Sequence, residues 1–238
     1  SDQKSATLQF LGEDFYVEKA TKKTPSMFID YRNKKTCLNN LELSLLGGFQ
    51  ARNAALALSA CLHHAHKNGK DINEQSIRKA LRETSWSGRM EVISLRPTII
   101  LDTAHNPAAV KELAKSVQEL FSYARVILIL GVMNDKQADE IFKKLANFAD
   151  HFILVRPKQE RSENPTKLKQ ISKKYKSSCE IIENIPKAIL KAKKYALPDD
   201  MICVTGSIFT VGEAKQYFDN EPNFKTNFSP STNLHLSG

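Results

Sequence analysis

Residues 87–109 read SGRMEVISLRPTIILDTAHNPAA, and this stretch decides the fold. Two β runs, EVISL (91–95) and TIILD (98–102), are joined by only Arg96 and Pro97. A parallel crossover needs about a dozen residues or more, so this pair must be antiparallel, with EVISL on an edge. TIILD then runs into Thr-Ala-His-Asn-Pro, where a strand ends and a helix begins. Asn106 is a good N-cap, and Pro107 suits the first helical position. An acid (Asp102), an imidazole (His105) and a helix N-terminus therefore meet at the carboxyl edge of a sheet. Open α/β sheets bind ligands at that edge. Arg89, just upstream, is expected nearby.

From residue 91 onward the pattern alternates. Strand-like runs are EVISL, TIILD, RVILILG, HFILVR, SCEIIE and MICVTG; helix-like runs cover 108–121, 137–148, 165–175, 186–195 and 208–218. Strands alternating with helices argue for βαβ units. The expected fold class is α/β, a Rossmann-like, mostly parallel sheet with one antiparallel strand. Upstream, residues 6–46 read as β structure, in the short runs ATLQFLG, DFYVEKA, SMFIDYR and KTCLNNLELSLLG. Gly47-Gly48 breaks the chain, a helix follows over 50–66 and ends at Gly69, and Asn73 caps a second over 74–82. The domains expected are 1–86, then 87–218, then a polar tail, 219–238.

Lys and Arg number 35 against 26 Asp and Glu, a formal net charge of +9. The lysines are spread over amphipathic runs such as KLKQISKKYKS without alternating aromatic platforms, so a solvated helix face is favoured over nucleic-acid binding. The longest apolar run, 126–133, is far short of the ~20 residues that span a bilayer. Residues 1–20 contain no apolar core of a secretory signal. The four cysteines form no C-x-x-C pair and read as structural thiols of a reducing compartment, so the expected location is cytoplasmic.

Three strand-to-helix junctions carry the candidate chemistry. Asp102 should emerge from the core where TIILD ends, although an Asp there also suits a plain turn. Thr205-Gly206-Ser207 closes the last strand; Ser207 and the helix N–H groups suit a carboxylate or phosphate, and a Ser N-cap explains them equally well. In GVMNDKQ (131–137), Asp135 is most simply an N-cap and Lys136 meets an anion or solvent. Asp102, His105, Asp135 and Ser207 should all lie along one sheet edge. His63, His64 and His66 share a helical turn without an acidic or thiol partner, so polar surface is favoured and no metal site is expected. No G-x-x-x-x-G-K-[ST] loop occurs in the sequence.

Six stretches in order are LLGGFQARNAALALSA (45–60), SGRMEVI (87–93), IILDTAHNPAAVKELA (99–114), LILGVMNDK (128–136), LVRPKQERS (154–162) and VTGSIFTVGEA (204–214). Together they resemble the folylpolyglutamate synthase/dihydrofolate synthase family of the Mur-ligase superfamily. Two departures stand out: that family usually has His where Phe49 stands and Gly where Thr103 stands. The second would narrow the approach of backbone to ligand.

The resemblance implies transfer of the ATP γ-phosphoryl group to a folate or dihydropteroate carboxylate. The amine of L-glutamate then attacks the acyl phosphate, releasing phosphate and forming an amide. It implies that Asn53, Arg89 and Asp102 contact ATP, with Arg89 on phosphate charge and Asp102 on the ribose. It places His105 toward phosphoryl transfer and, with Ser207, toward glutamate. The family's P-loop and magnesium ligands precede the matched region, so Mg²⁺ is implied without a ligand here. Residues 1–86 then read as the β-rich and helical remnant of a central ATPase domain, in a monomer inactive as this isolated chain. The alternatives are another Mur-type amide ligase, or a non-catalytic nucleotide- or anion-binding α/β module. Substituting Arg89 or Asp102 is expected to leave the fold intact, each side chain being placed at the sheet edge.

Overall fold

The computed structural model describes residues 7–23, 26–175 and 177–221. The chain divides into two compact units, residues 1–85 and 86–238.

In the first unit, β1 (Phe15–Lys23), β2 (Ser26–Asn33) and β3 (Cys37–Leu43) form an antiparallel sheet in that order. β2 alternates as a one-sided strand must: Met27, Ile29 and Tyr31 are buried, while Phe28 and Asp30 are only partly so. These residues, with Phe15, Leu38, Leu41 and Leu43, pack on Ala51, Ala55 and Leu58 of α1 (Gly48–Lys67) and Ile77 of α2 (Glu74–Glu83). The two helices supply the apolar cover that three strands lack. Asn73 caps α2, accepting the Ser76 N–H at 2.8 Å. Gly69, at φ +63°, follows the end of α1.

The strand expected at ATLQFLG does not form. Residues 7–10 take no regular structure, and Leu11 only bridges to Phe15. The Asp14 carboxylate accepts the Phe10 N–H at 2.9 Å, and the Asp14 N–H donates to the Phe10 carbonyl. This local turn competes with strand pairing, and Leu8 and Phe10 stay 60% and 51% exposed.

The second unit is a six-stranded sheet. Its strands are β4 (Glu91–Leu95), β5 (Thr98–Leu101), β6 (Val126–Leu130), β7 (His151–Leu154), β8 (Cys179–Ile181) and β9 (Met201–Thr205), in the order β4-β5-β9-β6-β7-β8. β4 is the antiparallel edge strand and every other pairing is parallel. The helices are α3 (Pro107–Leu120), α4 (Ala138–Leu145), α5 (Pro165–Lys174), α6 (Ile185–Tyr195) and α7 (Ile208–Asn220). Ile189 of α6 and Val211 and Phe218 of α7 join Ile99, Ile127 and Ile202 in one core. On the opposite face, Phe142 of α4 meets Phe152 of β7 with ring centroids 5.1 Å apart. β6 and β9 are buried throughout, as central parallel strands covered on both faces are. α7 runs to Asn220, so the expected tail begins inside a helix; residues 222–238 lie outside the described residues. No helix among the described residues is long and apolar enough to cross a membrane.

At the amino end of the sheet, Arg125 Nε and Nη2 hold the Asp200 carboxylate at 3.2 and 2.5 Å. The guanidinium keeps this carboxyl below its ordinary value of 3.8. A depressed carboxyl pKa stabilises the fold above the unfolded value, and that contribution disappears as pH falls through the folded one. Arg125→Met is therefore expected to lower the urea midpoint at pH 7, with the difference from wild type shrinking below about pH 4. A difference that holds constant to pH 2 would refute the pairing.

Candidate functional site

Register brings three loops to one level. Leu101 pairs with Val204 and Leu130 with Thr205, so β5, β9 and β6 end side by side. The positions after them, Asp102 to Pro107, Gly206-Ser207 and Gly131 to Gln137, share the carboxyl edge, and with them Asp102, His105, Asp135 and Ser207. The loops are laced together. Gly206 N–H and Thr205 Oγ1 donate to the Ala104 carbonyl at 3.0 and 3.2 Å. Thr210 Oγ1 donates to the Gly131 carbonyl at 2.7 Å.

Asp102 is 4% exposed, not at the surface as the strand-end position suggested. Its Oδ2 accepts the Met90 N–H at 2.9 Å and its Oδ1 the Ala104 N–H at 2.8 Å. The carboxylate is drawn inward because two loops bring donors to it. Burial nevertheless pushes its pKa up, against these bonds and the nearby charges of Arg89 and His105.

Arg89 is exposed, its guanidinium over the Trp86 ring at 5.8 Å from the centroid. His105 is also exposed, with Nδ1 2.9 Å from the Thr103 carbonyl. A carbonyl only accepts, so Nδ1 donates; when the ring carries no second proton, Nε2 is left as an acceptor. Asn106 caps α3, accepting the Ala109 N–H at 2.9 Å, with Pro107 opening the helix. Ser207 is 2% exposed and acts as the cap of α7: its Oγ accepts the Thr210 N–H at 3.0 Å and bonds Thr210 Oγ1 at 2.8 Å.

Asp135 is not a cap. Gln137 precedes α4 without a side-chain cap bond, while Asp135 pairs with Lys136 at 3.0 Å and stands 3.9 Å from Arg161. The two cations draw the carboxylate into an ion pair in place of the helix start, and the Lys136 hydrogen bond lowers its pKa. Thr103 is buried, its N–H donating to the Gly88 carbonyl at 2.9 Å and its methyl packed toward Gly88. The side chain is thus packed against the turn that carries Arg89. Asn53 belongs to the first unit, on α1, where its Nδ2 donates to Gln50 Oε1 at 3.0 Å.

Arg161, Thr210 and Trp86 were not singled out from sequence. Arg161 could have been found as a cation in the loop after the fourth β run. Nothing in the sequence marks Thr210, because its partner is a carbonyl 79 positions away. Among the described residues no three His, Cys, Asp or Glu side chains converge to hold a metal ion.

Residues 88–208 match the family model for the Mur ligase glutamate ligase domain. The chain is 33% identical over 177 residues to a probable bifunctional folylpolyglutamate synthase/dihydropteroate synthase of Haloferax volcanii, covering 74% of this chain and 20% of that protein. It is 28% identical over 204 residues to the folylpolyglutamate synthase of Lacticaseibacillus casei, covering 85% and 46%. The chain thus spans less than half the length of these relatives. Among solved structures, Mycobacterium tuberculosis folylpolyglutamate synthase, complexed with ADP and AMPPCP, shares the fold at a TM-score of 0.83 and 23% identity, covering 93% of this chain and 51% of that one. With the matched model spanning just over half its residues, and with the laced carboxyl edge lying inside the match, the chain belongs to the Mur ligase family, glutamate ligase domain.

Proposed function

We propose that this chain is the C-terminal portion of an ATP-dependent ligase that joins L-glutamate to folate or dihydropteroate through an acyl phosphate. The observation that carries the reading is the carboxyl edge itself, where exposed Arg89 and His105 flank a buried Asp102. The names of the relatives supply the substrate class.

Asn53, Arg89 and Asp102 are assigned to ATP. Arg89 offers a free guanidinium to phosphate oxygens, where charge-assisted bonds are strongest. Asp102 has spent one acceptor site on each oxygen, and a carboxylate has about four, so a ribose hydroxyl can still be accepted at the small part of this residue, 4%, that is exposed. His105 presents Nε2 as an acceptor for a proton of the glutamate amine as it attacks the acyl phosphate. Ser207 lies toward the glutamate through the backbone it caps. Mg²⁺, when bound with ATP, would offset phosphate charge; no ligand for it is assigned to this chain. Location in the cytoplasm and a monomeric state are part of the same proposal.

Two measurements test this reading. Arg89→Ala is expected to weaken ATP binding about tenfold by titration calorimetry, since hydrogen bonds to charged groups contribute roughly 1.5–3 kcal/mol. Unchanged affinity would remove Arg89 from the site. The 238-residue polypeptide alone is expected to release no phosphate in response to glutamate, because phosphoryl transfer needs a phosphate cradle and a held Mg²⁺, and the sequence has no Walker-type loop. Glutamate-dependent release above background would overturn the reading as a portion of the ligase. ATP binding without any turnover on addition of the remaining part of the ligase would favour a non-catalytic binding module.

A further inference from the structure

Arg89 closes a turn over residues 86–89, and its two chain neighbours, Gly88 and Met90, are both held in place. Gly88 has φ +70°, and a Cβ there would lie 2.8 Å from Val211 Cγ1 and 2.9 Å from Thr103 Cγ2. Its N–H donates to the Glu91 carboxylate at 2.8 Å, and its carbonyl accepts the Thr103 N–H. Met90 has φ +47°, a conformation uncommon outside glycine. It is buried, with its N–H on Asp102 Oδ2. The Arg89 N–H donates to the Trp86 carbonyl at 3.2 Å and closes the turn.

Trp86 is 65% exposed and belongs to neither hydrophobic core. Its ring carries the Arg89 guanidinium. An exposed arginine free to sample its rotamers loses that entropy on meeting an anion, and a side chain already seated loses less. Asp102 acts from below. One oxygen holds the Arg89 turn and the other the loop of His105, so a single carboxylate ties two candidate site residues to the end of β5.

We propose that Trp86 and Asp102 are positioning residues for Arg89: Trp86 seats the guanidinium on its ring, and Asp102 fixes the turn and couples it to the His105 loop. The functional half of this rests on the reading of Arg89 as a phosphate contact; the seating does not.

Trp86 is the only tryptophan in the chain, so its emission reports on the turn without any ligand. Arg89→Ala is expected to shift the emission and raise its quenching by acrylamide. Asp102→Asn, which turns one acceptor into a donor facing an N–H, is expected to do the same in protein shown folded by circular dichroism. Unchanged emission in both would overturn the seating. For function, Trp86→Ala is expected to weaken ATP binding roughly two- to fivefold, the range of an exposed cation–π contact, with Trp86→Phe restoring it. Trp86 is exposed, so its variants should fold whether or not Asp102→Asn does. Affinity lost in Arg89→Ala but kept in Trp86→Ala would overturn the positioning role and leave the reading of Arg89 standing. Affinity kept in Arg89→Ala, with its emission shifted, would overturn that reading instead.

Discussion

Gly206→Ala is expected to destabilise the second unit by about 3–5 kcal/mol. Gly206 has φ +108°, and a Cβ there would stand 2.6 Å from the Gly131 carbonyl oxygen and 2.9 Å from Leu130 Cδ1. The carbonyl cannot retreat: it is backbone, at the end of the central strand β6, and already accepts the Thr210 hydroxyl at 2.7 Å. Left-handed backbone costs a side chain roughly 1–3 kcal/mol, and overpacking roughly 1–3 more. Small domains have only about 5–15 kcal/mol in all. Gly212, inside α7, is the control: nothing lies within 4 Å of its Cβ position. Gly212→Ala should gain about 0.5–1 kcal/mol from helix propensity. Urea unfolding followed by circular dichroism reads both. A loss under 1 kcal/mol at Gly206 would mean that the loops after β9 and β6 can separate freely.

Much of this was legible because local chemistry decides it. The two residues between EVISL and TIILD forced an antiparallel pair, and β4 lies antiparallel on the edge. Asn73, Asn106 and Ser207 cap helices as their positions suggested. What was not legible was decided by partners that residue identity does not reveal, some distant and some adjacent. The placement of β9 between β5 and β6 depends on packing across the whole sheet, to which a residue-by-residue reading has no access. Asp135 looked like a cap until Lys136 and Arg161 were seen beside it. ATLQFLG has strand-like residues but no strand neighbour among the described residues, and Asp14 folds it into a turn. For the candidate site, Arg89, Asp102 and His105 do come together, but the sequence gives no sign that Asp102 faces inward. Its two donors are backbone N–H groups of Met90 and Ala104, and backbone donors leave no trace in residue identity.

That inward orientation changes what Asp102→Ala should do. A surface carboxylate could be removed at little cost in stability; this one cannot. The substitution leaves the N–H groups of Met90 and Ala104 without acceptors in a site that is 4% exposed. Each orphaned buried donor costs roughly 1–3 kcal/mol. Part of this is returned, because the ionised carboxylate is itself desolvated, as its raised pKa records. A net loss of about 2 kcal/mol at pH 7 is expected, the lower end of two such penalties. The pH dependence separates this from a generic cavity. A carboxyl whose folded pKa is raised above the unfolded value of 3.8 contributes most stability below the unfolded pKa, and that contribution is lost as pH rises through the folded one. The gap between wild type and Asp102→Ala should therefore widen as pH falls below neutrality, opposite to the narrowing expected at Arg125→Met. Urea midpoints of both variants from pH 7 to 2 compare the two slopes in one experiment, the widening appearing first and the narrowing at Arg125→Met below about pH 4. A gap at Asp102→Ala that narrows on acidification would show that the carboxylate is held by charge pairing with Arg89 or His105, and that burial is the smaller effect.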